Sequence, residues 1–198
     1  MTFKPPVCEH IDFRKGVVST SRPWNQPDIN LFHKWIVIIK RYIADHQITI
    51  DLYLCGKFLE NPKMTWDIDV ILSHKDIRKF NMSQLQKIRD LMNYGMQLGF
   101  DKFNLLIDMA CYLPFDDEGT FWYSAESYIK HGKIRSQALY TFDKISEDDE
   151  VIQDFNTEHD TSVTKICDNL FMVVKTSPSE KHINRIKKGI IYKKPVII

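Results

Sequence analysis

Asp67-Ile68-Asp69 interrupts an apolar stretch that continues as Val70-Ile71-Leu72. In a β-strand, side chains alternate between faces, so residues i and i+2 lie together. The two carboxylates therefore share one face, and Ile68, Val70 and Leu72 take the other. Few folds accommodate this pair. Like charges side by side on a half-buried sheet repel unless a cation sits between them. The simplest reading is a hard-metal site, with Mg²⁺ held by carboxylate oxygens and completed by water and phosphate. The plainer alternative is an edge strand with two solvated aspartates, and the strongly apolar flanks weigh against it.

A second acid has the same character. Asp108 is the one charged residue in Leu105-Leu106-Ile107-Asp108-Met109-Ala110, where an isolated carboxylate is costly to bury. It can also sit at a strand end, capping or solvated. If its strand lies beside that of Asp67 and Asp69, three carboxylates converge at one edge of a sheet. Such a set suits two-metal phosphoryl transfer, in which one ion activates a nucleophilic hydroxyl and the other neutralises phosphate and leaving group.

Gly56 closes the β-rich run Ile48–Cys55, eleven positions before Asp67. A glycine directly after a strand lets backbone come close to a ligand, and turn amides can cradle phosphate. Alone it is a weak signal; Asp67 and Asp69 downstream and Lys57 beside it give it weight.

Taken together, Leu54-Cys55-Gly56, Asp67-Ile68-Asp69-Val70-Ile71-Leu72 and Leu106-Ile107-Asp108-Met109 resemble the nucleotidyltransferase superfamily typified by DNA polymerase beta. That superfamily includes poly(A) polymerases, CCA-adding enzymes and antibiotic nucleotidyltransferases. The resemblance covers roughly residues 28–113. It implies an α/β (α+β) fold with a short mixed sheet, helices packed mainly on one side, and a small C-terminal extension. It implies that Asp67 and Asp69 bind two Mg²⁺ ions, with Mn²⁺ as a substitute. Asp108 would bind the catalytic ion and serve as, or position, the base. Gly56 would approach the β- and γ-phosphates of a nucleoside triphosphate. The chain departs from the family in one place: Lys57 stands where Ser or Gly usually follows the glycine. A lysine there can contact the triphosphate as a point charge. It can equally block the usual pose, or mark a different donor or a lost activity.

The acceptor must be read from weaker signals. With 27 Lys and Arg against 26 Asp and Glu, the net charge is +1, so no global field favours nucleic acid or a membrane. Charge is uneven locally. Residues 143–160 are acidic and read as a solvated face. Lys181, Arg185, Lys187, Lys188, Lys193 and Lys194 form a basic run without an acid. That run points to phosphate-backbone contacts, hence to RNA or a tRNA end as acceptor. Phe121-Trp122-Tyr123 offers rings to stack a base, or a hydrophobic plug, the latter being the plainer reading. His131, Lys133 and Arg135 form a further basic cluster that binds triphosphate or caps a helix. Small-molecule or protein acceptors, and a silent fold that only binds, are the alternatives.

Cys8, Cys55, Cys111 and Cys167 are scattered without a CxxC pair, which argues for a reducing compartment and against zinc. Cys8-Glu9-His10 is one short cluster of ligating residue types. The start MTFKPPVCEH lacks an apolar signal core, and no apolar run reaches membrane-span length, so a cytoplasmic location is expected.

Organisation is expected in three parts. Residues 1–27 are irregular and rich in Pro, 28–115 form the catalytic core, and 116–198 form an extension that can bind the acceptor. Asp28 is expected to cap a helix to about Ala44. Strands are expected over Ile48–Cys55, Trp66–Ser73 and Phe103–Tyr112. A helix is expected over Ser83–Leu98, capped by Ser83 and ended by Gly99. Phe58–Met64 reads as a loop or short helix. Short helices at Ser124–Gly132, Asp148–Phe155 and Ser179–Lys187, and strands at Asn169–Lys175 and Tyr192–Ile198, complete the expectation.

Overall fold

The computed structural model describes residues 9–12, 17–19, 26–115, 121, 137–142, 161–167, 170–175, 184, 187, 188 and 193–198. The protein is a mixed α/β chain. Strands β1 (Glu9–Asp12) and β2 (Val17–Ser19) pair antiparallel as a separate hairpin. The other strands are β3 (Asp51–Cys55), β4 (Asp67–Ser73), β5 (Leu106–Leu113), β6 (Gln137–Thr141), β7 (Thr161–Cys167), β8 (Leu170–Lys175) and β9 (Val196–Ile197). They form one seven-stranded sheet in the order β7-β8-β6-β5-β4-β3-β9. The short sheet expected from sequence is corrected: chain beyond Leu113 adds four strands to the three read in the core.

Helix α1 (Ile29–Asp45) starts where predicted. The Asp28 carboxylate accepts from the Asn30 and Leu31 amides, both at 2.9 Å, satisfying donors the first turn leaves open. Its buried stripe is Phe32, Trp35 and Ile39. The Trp35 indole donates to the Gly95 carbonyl at 2.8 Å, and Phe32 meets Phe58 edge-on at 5.4 Å. Phe58 belongs to α2 (Gly56–Glu60), so α1 pins the segment that follows β3.

Helix α3 runs Met82–Phe103, longer than predicted at both ends. Asn81, not Ser83, is the cap: its side chain accepts from the Gln84 amide while Gln84 reaches back to the Asn81 amide. Gly99 does not end the helix. Asn104 does, in the left-handed region at φ 51°, ψ 38°. Gly95 and Gly99 are buried within α3 because β5 packs against them. A Cβ on Gly99 would lie 2.5 Å from Ile107 Cγ1, and one on Gly95 would lie 2.5 Å from Met109 Sδ. Ile107 and Met109, the neighbours of Asp108, thus face α3.

The chain divides into two compact units. The first comprises Met1–Leu72, Lys79–Ala110 and Pro195–Ile198; the second comprises Ser73–Arg78 and Cys111–Lys194. In the first, β9 pairs antiparallel with β3, and the Ile198 amide donates to Leu52 O at 3.0 Å. In the second, β6 pairs antiparallel with β5 and β8, and β7 with β8. There Ser73 donates to Tyr112 O at 2.9 Å, satisfying a buried hydroxyl.

Residues 1–27 are not wholly irregular, since β1 and β2 lie among them. The expected helices at 124–132 and 148–155 fall outside the described residues. Of 179–187, Asn184 and Lys187 are helical. Strand β8 matches expectation; β6 and β7 had no counterpart in the sequence reading. The terminal strand is shorter than expected, Val196–Ile197. Among the described residues, no helix is long and apolar enough to cross a membrane.

Candidate active site

The carboxylates arise from strand alternation. Along β4, Asp67 and Asp69 are half-buried while Ile68 and Val70 are buried. The predicted two-faced pattern therefore holds through Val70, after which Ile71, Leu72 and Ser73 are buried as well. Along β5, Asp108 keeps solvent access while Ile107 and Met109 are buried. Strands β4 and β5 are neighbours in the sheet. All three aspartates lie in the first compact unit.

Their proximity shows in their protonation. Burial pushes Asp69 up from its ordinary 3.8 to about 6, with the charges of Asp67 and Asp108 adding to the rise and Lys57 opposing it. Asp108 is raised first by burial and then by Asp67, while the Met109 amide, donating to its carboxylate, pulls it back. Asp108 also has a solvent-accessible flank. Each pairing among the three acids thus contributes to these two shifts.

Gly56 closes this group from the β3 side. Its φ of +71° is left-handed. A Cβ there would overlap the Asp69 carboxylate, falling on Oδ2 and 2.7 Å from Cγ. The missing side chain is what lets the β3–α2 turn and Asp69 occupy neighbouring space. Lys57, the next residue, is exposed and near enough for its charge to act on Asp69.

Cys55 also borders the group. Its thiol contacts the Asp69 carbonyl at 3.5 Å, and burial together with Asp69 and Asp108 raises it to about 12. Those surroundings favour the neutral thiol over the thiolate. Cys111, wholly buried, is likewise held protonated by burial.

The sequence reading missed Thr65. This residue is 4% exposed, and its hydroxyl donates to Asp67 Oδ1. The same oxygen stands 3.4 Å from the Asp67 amide and 3.3 Å from the Asp67 carbonyl. A hydroxyl residue two positions before an acid is the pattern of a local side-chain-to-backbone turn, and that spacing was the available signal.

The structure brings Asp67, Asp69, Asp108, Gly56 and Lys57 together. Phe121 is fully buried, 6.2 Å from Tyr112, so it is no exposed stacking platform. Lys187 and Lys188 are exposed. Lys181, Arg185, Trp122, Tyr123, His131, Lys133 and Arg135 lie outside the described residues, as does Cys8 of the Cys8-Glu9-His10 cluster.

The donor set is chemically apt for a hard divalent cation, being three carboxylates without soft ligands. Their mutual repulsion is what a cation would relieve. Among the described residues, no group of three or more His, Cys, Asp or Glu side chains is placed to hold a metal ion by itself. Carboxylate sites for Mg²⁺ commonly rely on water and substrate phosphate for the remaining ligands. Comparison with protein-family models, curated proteins and solved structures finds no match.

Proposed function

We propose that this protein is a metal-dependent nucleotidyltransferase. It would transfer a nucleoside monophosphate from a nucleoside triphosphate to an acceptor hydroxyl. The observation that carries the reading is the convergence of Asp67, Asp69 and Asp108 on adjacent strands with Gly56 abutting Asp69. A purely structural sheet gains nothing from three mutually repelling acids.

Asp67 and Asp69 would hold two Mg²⁺ ions, or Mn²⁺ in their place, and Asp108 would share one of them. When bound, the metal supplies charge neutralisation for the triphosphate and acidifies the acceptor hydroxyl. Asp108, whose carboxylate keeps solvent access, would receive the hydroxyl proton or position the group that does. The acceptor oxygen then bonds to the α-phosphorus while the bond to the bridging oxygen breaks, and pyrophosphate leaves. Lys57, exposed beside Gly56, offers a point charge for the triphosphate in place of the usual small residue.

For the acceptor, nucleic acid, either RNA or a tRNA end, is the proposed class. Support comes from the basic run Lys181–Lys194, of which Lys187 and Lys188 are exposed. The test is pyrophosphate release from each nucleoside triphosphate with and without RNA. Release that requires Mg²⁺ and disappears in Asp108→Ala supports the reading. Release of the same rate in Asp108→Ala contradicts it.

A further inference from the structure

Thr65 is one of two buried polar residues among those described, the other being Ser73. Its position follows from the turn preceding β4. A short 3-10 turn, Pro62–Met64, is capped at its start by Asn61, whose side chain accepts from the Lys63 amide at 3.1 Å. Thr65 leaves that turn with extended backbone, φ −137° and ψ 161°, and delivers the chain into β4 two residues later.

A threonine hydroxyl has one proton to give and two lone pairs to receive with. Three Asp67 atoms surround this one: the carboxylate Oδ1, the amide and the carbonyl. The carboxylate is much the nearest acceptor, so the single proton goes there. The amide, at 3.4 Å, then has Oγ1 as its acceptor. One hydroxyl therefore ties the Asp67 carboxylate to the Asp67 backbone, fixing the rotation of that side chain and occupying Oδ1. This hydroxyl does not engage the other oxygen, Oδ2.

We infer that Thr65 is a positioning residue for a divalent cation at Asp67, using its hydroxyl to orient the carboxylate. The inference rests on the metal-site reading above and adds to it a residue outside the three acids. Partners of this kind typically change metal affinity by about 10–100-fold when removed. A buried threonine that only closes a turn would matter to folding alone.

The two roles separate by experiment. Mn²⁺ binding to the full-length protein is titrated by electron paramagnetic resonance, with thermal melting measured on the same samples. The proteins are the parent, Thr65→Val, Thr65→Ser and Asp67→Asn. Valine keeps the shape and removes the hydroxyl; serine restores it. The expected result is an Mn²⁺ dissociation constant about tenfold weaker in Thr65→Val, with the serine variant close to the parent. If Thr65→Val does not fold, Thr65→Ala, which frees space for a water, carries the same comparison. A folded valine or alanine variant with parental Mn²⁺ affinity overturns the role of Thr65, while loss of binding in Asp67→Asn leaves the metal site standing. If the parent binds no Mn²⁺ that Asp67→Asn removes, the metal site and the role of Thr65 fall together.

Discussion

Gly56 and Asp69 are mutually exclusive of a side chain on the first: a Cβ at Gly56 would occupy the space of the Asp69 carboxylate. The left-handed backbone of Gly56 adds a second demand for glycine. Gly56, directly after strand β3, thus lets the following turn close against Asp69 of β4.

Gly56→Ala should therefore act on Asp69. The left-handed backbone alone costs a non-glycine residue roughly 1–2 kcal/mol, and the overlap must be relieved by moving Asp69 or the turn. The expected outcome is a lower melting temperature together with loss of Mn²⁺ binding. Calorimetric titration of the folded variant checks this; parental Mn²⁺ affinity would show that the turn does not govern the carboxylate.

Asp69 makes the metal-free protein pH-sensitive. In the folded chain its proton is held to about pH 6, whereas its ordinary value is 3.8. Folding therefore favours the protonated acid. That stabilisation is fully present below 3.8 and is lost as pH rises through about 6. The corresponding limit is about 3 kcal/mol. Asp69→Asn, neutral at every pH, should melt higher than the parent at pH 8 in chelator and bind Mn²⁺ poorly. Equal melting temperatures at pH 8 would mean that Asp69 carries no such penalty.

Cation binding should expel protons. A metal takes the ionised carboxylate, so it competes with the proton that Asp69 holds near pH 6. Mn²⁺ titrations at pH 6 in buffers of different ionisation enthalpy should give different heats, and those at pH 8 should nearly coincide. Buffer-independent heats at pH 6 would place the cation away from Asp69.

The two helix glycines should differ. At Gly99 a methyl meets the branched Ile107 and lies 3.2 Å from the Leu105 carbonyl. At Gly95 it meets chiefly the flexible Met109 thioether, with Trp35 Cζ2 at 3.3 Å. Alanine gains about 1 kcal/mol of helix propensity at either place, against roughly 1–3 kcal/mol for overpacking. Chemical denaturation should show Gly99→Ala destabilised relative to Gly95→Ala; the reverse order would mean that β5 yields more readily at Ile107 than at Met109.

The sequence revealed most where local chemistry and packing agreed. Asp28 capped the helix it preceded, and the apolar spacing of Phe32, Trp35 and Ile39 marked the buried stripe of α1. The carboxylate face of β4 was legible because Asp67 and Asp69 alternate with Ile68 and Val70. Gly99 misled because a glycine near a helix end has two causes, and only the neighbouring strand decides between them. Here Ile107 required a surface without Cβ, while the stop came from Asn104. Strand β7 is rich in Thr, Ser and Lys, so its hydrophobic alternation is faint, and its pairing with β8 depends on partners local patterns do not reveal. The neighbourhood of β4 and β5, on which the three acids depend, is a long-range pairing of the same kind.

The most direct measurement is transfer of label. The protein is incubated with each α-labelled nucleoside triphosphate, Mg²⁺ or Mn²⁺, and separate pools of tRNA, other RNA and single-stranded DNA, beside Asp67→Asn and Asp108→Ala. The proposed function predicts metal-dependent label in an RNA pool, lost in both variants. No label in any pool, or label undiminished in both variants, would contradict it.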